Sequence, residues 1–172
     1  MLKRIAITGP ESTGKTWLAK RLADHYNTVW VHEFAVDYLS EHGVGYKLED
    51  ILRIAKGQVE MEDDISNIAS RLLFCDTDLI VTKVWSKEVF NKVPSWIEQK
   101  IIERQYNLYL LCSPDLEWED APFRENPNDR DRLFNLYKEE LIQQNFNFRI
   151  VKGVGDQRLK NAVNFVEELI DG

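Results

Sequence analysis

Leu2-Lys3-Arg4-Ile5-Ala6-Ile7-Thr8-Gly9-Pro10-Glu11-Ser12-Thr13-Gly14-Lys15-Thr16 is the stretch on which the fold turns. Ile5-Ala6-Ile7 reads as a short apolar strand, and it runs into a match to G-x-x-x-x-G-K-[ST] from Gly9 to Thr16. A helical pattern follows at once, with Trp17, Leu18, Leu22 and Ala23 on one face. Strand, glycine loop and helix are the context that a phosphate-binding loop needs. Gly9 and Gly14 have no Cβ, so the backbone can turn sharply and bring its N–H groups close to an anion. The N–H groups of the loop, through Glu11, Ser12 and Thr13, join the positive end of the helix dipole in holding phosphate oxygens. Lys15 reaches the β- and γ-phosphates as a point charge, and the Thr16 hydroxyl ligates Mg²⁺.

Working outward, the bulk properties narrow the classes. A chain of 172 residues fits one domain and buries roughly 70% of its unfolded surface, enough for a core without staples. Hydrophobic content of 44% and charged content of 30% are those of a soluble globular protein. The net charge of −7 argues against broad binding to nucleic acid or to an anionic membrane. No stretch approaches the roughly 20 apolar residues of a membrane span. Cys75 and Cys112 each sit in an apolar run and read as buried free thiols. A reducing cytoplasm is the expected location. A homo-oligomer stays open.

Apolar runs alternate with helical patterns along the whole chain. Val29 to His32, Leu72 to Cys75, Asn107 to Cys112 and Phe148 to Val151 read as further strands, the first of them buried on both faces. Helical segments are expected after the loop to about His25, around Phe34 to Leu39, and from Leu48 to about Arg71. Leu79-Ile80-Val81 reads as another apolar piece leading into a helix near Lys83 to Asn91. Pro94 opens the next helix, and two more run from about Asp129 to Asn145 and from Gln157 to Ile170. This order implies crossover units, hence an α/β fold: a five-stranded parallel sheet in a three-layer α/β/α arrangement. Ligands bind such sheets at the carboxyl ends of the strands, where Glu33, Asp76, Asp78 and the phosphate loop all fall. Residues 113–128 are the one long irregular stretch, and a lid of about 113–135 is expected there.

That edge carries the chemistry. Asp76 follows an apolar strand and is the candidate second metal-side carboxylate, with Asp78 as its rival. An alcohol acceptor needs a carboxylate to orient its hydroxyl and take its proton. Glu33 and Asp37, at i and i+4, are the candidates. Arg124, Arg130 and Arg132 lie in or just after the long loop, where a mobile arginine could stabilise a phosphoryl group in transit. Trp85 and Trp118 are candidates to stack on a flat ring. His25, His32 and His42 have no metal-ligand spacing.

With these residues in view, the chain resembles the ribosylnicotinamide kinase domain of the NadR-type family, a branch of the P-loop nucleoside kinases. The resemblance spans nearly the whole chain. It rests on Gly9 to Thr16, on Glu33-Phe34-Ala35-Val36-Asp37-Tyr38-Leu39, on Gln58, on Asp76-Thr77-Asp78 with Thr82 and Trp85, and on Trp118 to Arg132. It implies ATP and Mg²⁺ as cofactors and transfer of the γ-phosphate to the 5′-hydroxyl of nicotinamide riboside. Glu33, Asp37 and Gln58 would then meet the acceptor, and Trp85 and Trp118 would flank the pyridinium. Arg124 would be catalytic, with Arg130 and Arg132 on the nucleotide. Val36 stands where the family usually carries arginine. No His-x-Gly-His motif is present, so a stand-alone kinase domain is expected.

Overall fold

The computed structural model describes residues 1–172. Its elements run β1 (Lys3–Thr8), α1 (Lys15–His25), β2 (Val29–Val31), α2 (Phe34–His42), α3 (Leu48–Ser66) and β3 (Leu72–Asp76). They continue as α4 (Leu79–Phe90), α5 (Ser95–Glu103), β4 (Leu108–Cys112), α6 (Arg130–Gln143), β5 (Phe148–Val151) and α7 (Gly155–Asp171). All strand pairs are parallel, in the order β2-β3-β1-β4-β5. Side chains alternate across the strands, so each inner strand feeds two cores. Ile5, Ile7, Phe74, Leu110 and Cys112 pack with Leu18 and Leu22 of α1 and Ala162 and Val166 of α7. Their neighbours Ala6, Cys75, Tyr109 and Leu111 pack with Ile51, Ile80, Ile97 and Tyr137 from α3 to α6. The result is the expected three-layer α/β/α fold. Cys75 and Cys112 are buried free thiols. No helix is long and apolar enough to cross a membrane.

Three local expectations change. The apolar stripe carried α3 to about Arg71, but the helix stops at Ser66. There the Ser66 hydroxyl and the Asn67 amide both donate to the Asp63 carbonyl, at 2.7 and 3.2 Å, and close the last turn. Leu79-Ile80-Val81 is the first turn of α4, because the Asp78 side chain accepts from Val81 N and caps the helix. β2 is an edge strand of three residues with Val29 and Trp30 only half-buried. The ammonium of Lys20 sits 5.3 Å from the Trp30 ring centroid on its open side.

Candidate active site

β1 lies between β3 and β4, so the loop that leaves it is flanked by both neighbouring strand ends. Gly9 has φ +131°, and a Cβ there would lie 3.0 Å from the carbonyl oxygen of Cys112 at the end of β4. Gly14 has φ +74° and starts α1. Ser12, also in the left-handed region at φ +54°, is a non-glycine residue in a sparsely populated conformation. None of the amide N–H groups from Glu11 to Thr16 bonds to a protein acceptor; the first amide in the ladder is Leu18, which reaches Gly14 O at 2.9 Å. Six consecutive free donors at a helix N-terminus form an anion cradle.

The structure brings Thr16 and Asp76, the two candidate metal-side residues, together. The Thr16 hydroxyl donates to Asp76 Oδ2 at 2.6 Å. Asp76 Oδ1 is buried and has no partner. Burial raises the Asp76 pKa, opposed by the Thr16 bond and by Lys15. Asp78 is turned elsewhere: its Oδ1 accepts from the Thr8 hydroxyl at 2.9 Å and from Val81 N at 3.3 Å. Between the two, Thr77 takes φ +82°, a strained setting for a β-branched residue that separates the two carboxylates. No group of three or more His, Cys, Asp or Glu forms a protein-only metal cage. An orphaned carboxylate oxygen beside a threonine hydroxyl suits Mg²⁺, which keeps most of its shell for water and phosphate.

Glu33 ends the β2 crossover and precedes α2. Desolvation is the main cause of a carboxyl pKa pushed up to about 7. Lys15 pulls it down, Asp76 and Glu11 push it up, and Arg124 pulls it down. Lys15, Asp76, Glu11 and Arg124 thus lie close enough to Glu33 for their charges to act on it. Asp37 is not gathered in. It is more than half exposed and its Oδ2 bonds His32 Nε2 at 2.6 Å.

Gln58 also departs from the expected role. It is buried, its Oε1 accepts from Phe34 N at 2.9 Å and its Nε2 donates to His32 O at 3.5 Å. Its amide is spent on the backbone either side of Glu33, so it holds that corner in place.

The β4–α6 connection lies over the loop. Glu11 accepts from Glu125 N at 3.1 Å and from Asn126 N at 3.0 Å. The Ser12 hydroxyl accepts from Glu119 N at 2.8 Å and from Arg124 Nη1 at 3.4 Å. Arg130 donates to Ser12 O and Leu116 O, both at 2.8 Å. Arg132 is absent from this group: Asp129 and Glu88 take its guanidinium.

The two tryptophans part company as well. Trp85 donates from Nε1 to the Tyr46 hydroxyl at 3.0 Å and meets its ring edge-on. Phe34, Phe123 and Trp85 border one small apolar cluster near Glu33. Trp118 lies instead on the Arg130 guanidinium, 5.8 Å from it, with Nε1 on Asp120 at 2.6 Å. Tyr46, Phe123 and Glu125 complete this side of the site and were not read from the sequence. Tyr46 follows the Gly43-Val44-Gly45 break, which is the only local signal for it.

Known proteins share this architecture. The chain is 27% identical to the trifunctional NAD biosynthesis/regulator protein NadR of Escherichia coli strain K12, over 98% of this chain and 43% of that protein. It thus spans less than half of that curated relative. A crystal structure of NadR in complex with NR superposes with a TM-score of 0.89 at 26% identity, covering 99% of this chain and 52% of that one. Deoxyadenosine kinase from M. mycoides, with products dCMP and dCDP, shares the fold at a TM-score of 0.64 and 13% identity, over 96% of this chain and 99% of that one. The family model described as AAA domain matches residues 4–158. On that match and on its loop, sheet and strand-end carboxylates, the chain belongs to the AAA domain family of P-loop proteins and is a homologue of NadR.

Proposed function

We propose that this protein is an ATP-dependent nucleoside kinase that transfers the γ-phosphate of ATP to the 5′-hydroxyl of nicotinamide riboside, giving nicotinamide mononucleotide. The observation that carries this reading is the Glu33 carboxyl, raised to about 7 and set in the field of Lys15 and Asp76 at the mouth of the cradle. A carboxylate poised near neutrality is suited to accept a hydroxyl proton. A nucleotide sensor needs no such group.

The unpaired amides from Glu11 to Thr16 bind the phosphate chain, and Lys15 adds its charge. Mg²⁺ held by Thr16 and Asp76 would supply further neutralisation of the phosphate oxygens. Glu33 takes the proton of the acceptor hydroxyl as that oxygen bonds to the γ-phosphorus. The bond from the γ-phosphorus to the bridging oxygen breaks, and ADP leaves. Arg124, from a lid over the loop, stabilises charge on the transferred group. Trp85 and Tyr46 offer π faces or edges, and Glu33 and Glu125 offer negative charge, which together suit a cationic pyridinium. Homology to NadR, including a NadR structure in complex with NR, supports this choice of acceptor.

A coupled ADP-release assay over a panel of nucleosides tests it. Nicotinamide riboside should stimulate release well above every neutral nucleoside. Faster release with another nucleoside would reassign the acceptor. Release at one rate with and without any acceptor would refute the kinase reading.

A further inference from the structure

The cradle is anchored from behind by a residue 145 positions away in sequence. Arg158 of α7 is fully buried. Its Nη2 donates to Thr13 O at 2.8 Å and to Ser113 O at 3.0 Å. Its Nη1 donates to Asp115 Oδ1 at 2.6 Å and to Gly153 O at 3.0 Å. Asp115 in turn accepts from Gly153 N at 2.8 Å through its other oxygen. One guanidinium therefore ties the loop to the ends of both β4 and β5.

Thr13 O is the informative contact. In a trans peptide the C=O of one residue and the N–H of the next point in opposite directions, and this chain has no cis peptide. Pulling Thr13 O back toward α7 turns Gly14 N–H forward, into the cradle. The same logic holds at two more peptides. Arg130 takes Ser12 O, which turns Thr13 N–H forward, and Lys15 takes Pro10 O at 2.8 Å, which turns Glu11 N–H forward. Three carbonyls of the loop are thus held by cations. Lys15 belongs to the loop itself, and Arg130 sits at the edge of the overlying connection. Arg158 alone is wholly enclosed. Its Nε is buried without a partner, and it would lie 3.9 Å from a Cβ placed on Gly14.

We propose that Arg158 is a positioning residue for phosphate binding: it fixes the Thr13–Gly14 peptide plane so that the Gly14 amide is aimed at the anion. This rests on the nucleotide-binding part of the function proposed above. Arg158 touches neither phosphate nor acceptor, and its effect passes through the backbone. Lysine in its place can satisfy one or two carbonyls but not all four partners, since an ammonium lacks the planar fork.

The test uses Arg158→Lys and Arg158→Gln, with inorganic tripolyphosphate as the probe in calorimetry. Tripolyphosphate has no base or ribose, so its affinity reads the phosphate cradle alone. Loss of one oriented charge-assisted donor corresponds to roughly a tenfold weaker tripolyphosphate affinity for Gln, with Lys between it and wild type. In the coupled assay the KM for ATP should rise while the KM for the acceptor stays within about twofold. A scaffold role alone would lower the melting temperature and leave tripolyphosphate affinity at the wild-type value, and that result overturns the proposal. If neither variant folds, Asp115→Asn decides, since Asp115 is one-third exposed and loosens the clamp from its outer end. Weaker tripolyphosphate binding by Asp115→Asn supports the proposal, and unchanged binding overturns it. A wild-type protein that binds no tripolyphosphate and no ATP would instead remove the nucleotide reading itself.

Discussion

Replacing Glu33 by glutamine should make the protein more stable and less active, and both effects should follow pH. The Glu33 carboxyl is raised from 4.5 to about 7, chiefly by desolvation. Its folded-state pKa lies above its unfolded one, so the native state binds the extra proton and the ionised form is the disfavoured one. The destabilisation is absent below about pH 4.5, grows between 4.5 and 7, and is complete above 7. At about 1.36 kcal/mol per tenfold, the full rise corresponds to about 3 kcal/mol; because the residue is partly open to solvent, about 1–2 kcal/mol is the expected size. For a domain of this size that is a melting-temperature gain of roughly 2–8 °C for Glu33→Gln at pH 8, vanishing at pH 4.5. Activity moves the other way. Wild-type kcat/KM should climb as pH rises through about 7, when Glu33 becomes the base. Glu33→Gln should lose roughly 10²–10⁴-fold in kcat and lose that limb of the profile. Thermal melts at pH 4.5 and 8, with pH–rate profiles of both proteins, check the pair of effects. A variant no more stable than wild type at pH 8, or a wild-type profile flat from pH 6 to 8, would refute the reasoning.

Lys15→Ala should fold normally and abolish turnover, because it removes the charge that neutralises the phosphates; near-normal rates would exclude a catalytic loop. Arg124→Ala should lower kcat more than the KM for ATP, and a change confined to KM would make Arg124 a ground-state contact. Gly57→Ala should destabilise despite the better helix propensity of alanine, since a Cβ there would lie 2.2 Å from Phe34 Cε1. Overpacking of about 1–3 kcal/mol outweighs a gain of about 1 kcal/mol, and urea denaturation would read the difference. Thr16→Val should raise the Mg²⁺ concentration needed for half-maximal rate, since it removes a hydroxyl beside Asp76; an unchanged requirement would take Thr16 off the metal side.

Much of the frame was legible because its signals are local. The inner strands of a parallel sheet are buried on both faces and read as unbroken apolar runs, as Leu72 to Cys75 and Leu108 to Cys112 do. The loop carries its own spelling. The misreadings arose where one side chain overrules a pattern. Ile68 keeps the period of α3 going, yet it is exposed and lies past the turn closed by Ser66 and Asn67. Leu79-Ile80-Val81 reads as an apolar piece ahead of the helix, and the Asp78 cap makes it the first turn of α4. At the site, residue types were visible but directions were not. Gln58, Asp37 and Arg132 have the right chemistry and satisfy it on His32, Phe34, Asp129 and Glu88 instead. Arg158 reads as one more charge on an amphipathic helix, and only the folded chain brings it under Thr13.

Glu11 has a consequence for timing. An acidic side chain at the rim of an anion receptor repels what the receptor is built to catch. Here the amides of Glu125 and Asn126 cover that charge. An opening of the 113–129 segment would bare the carboxylate, and closure would mask it again. On the proposed function, phosphate capture and closure would favour each other, and a nucleotide under an open cover would be held less firmly than one under a shut cover. Cover and receptor would then act as one electrostatic unit, and a loaded site still open to water would be the disfavoured arrangement.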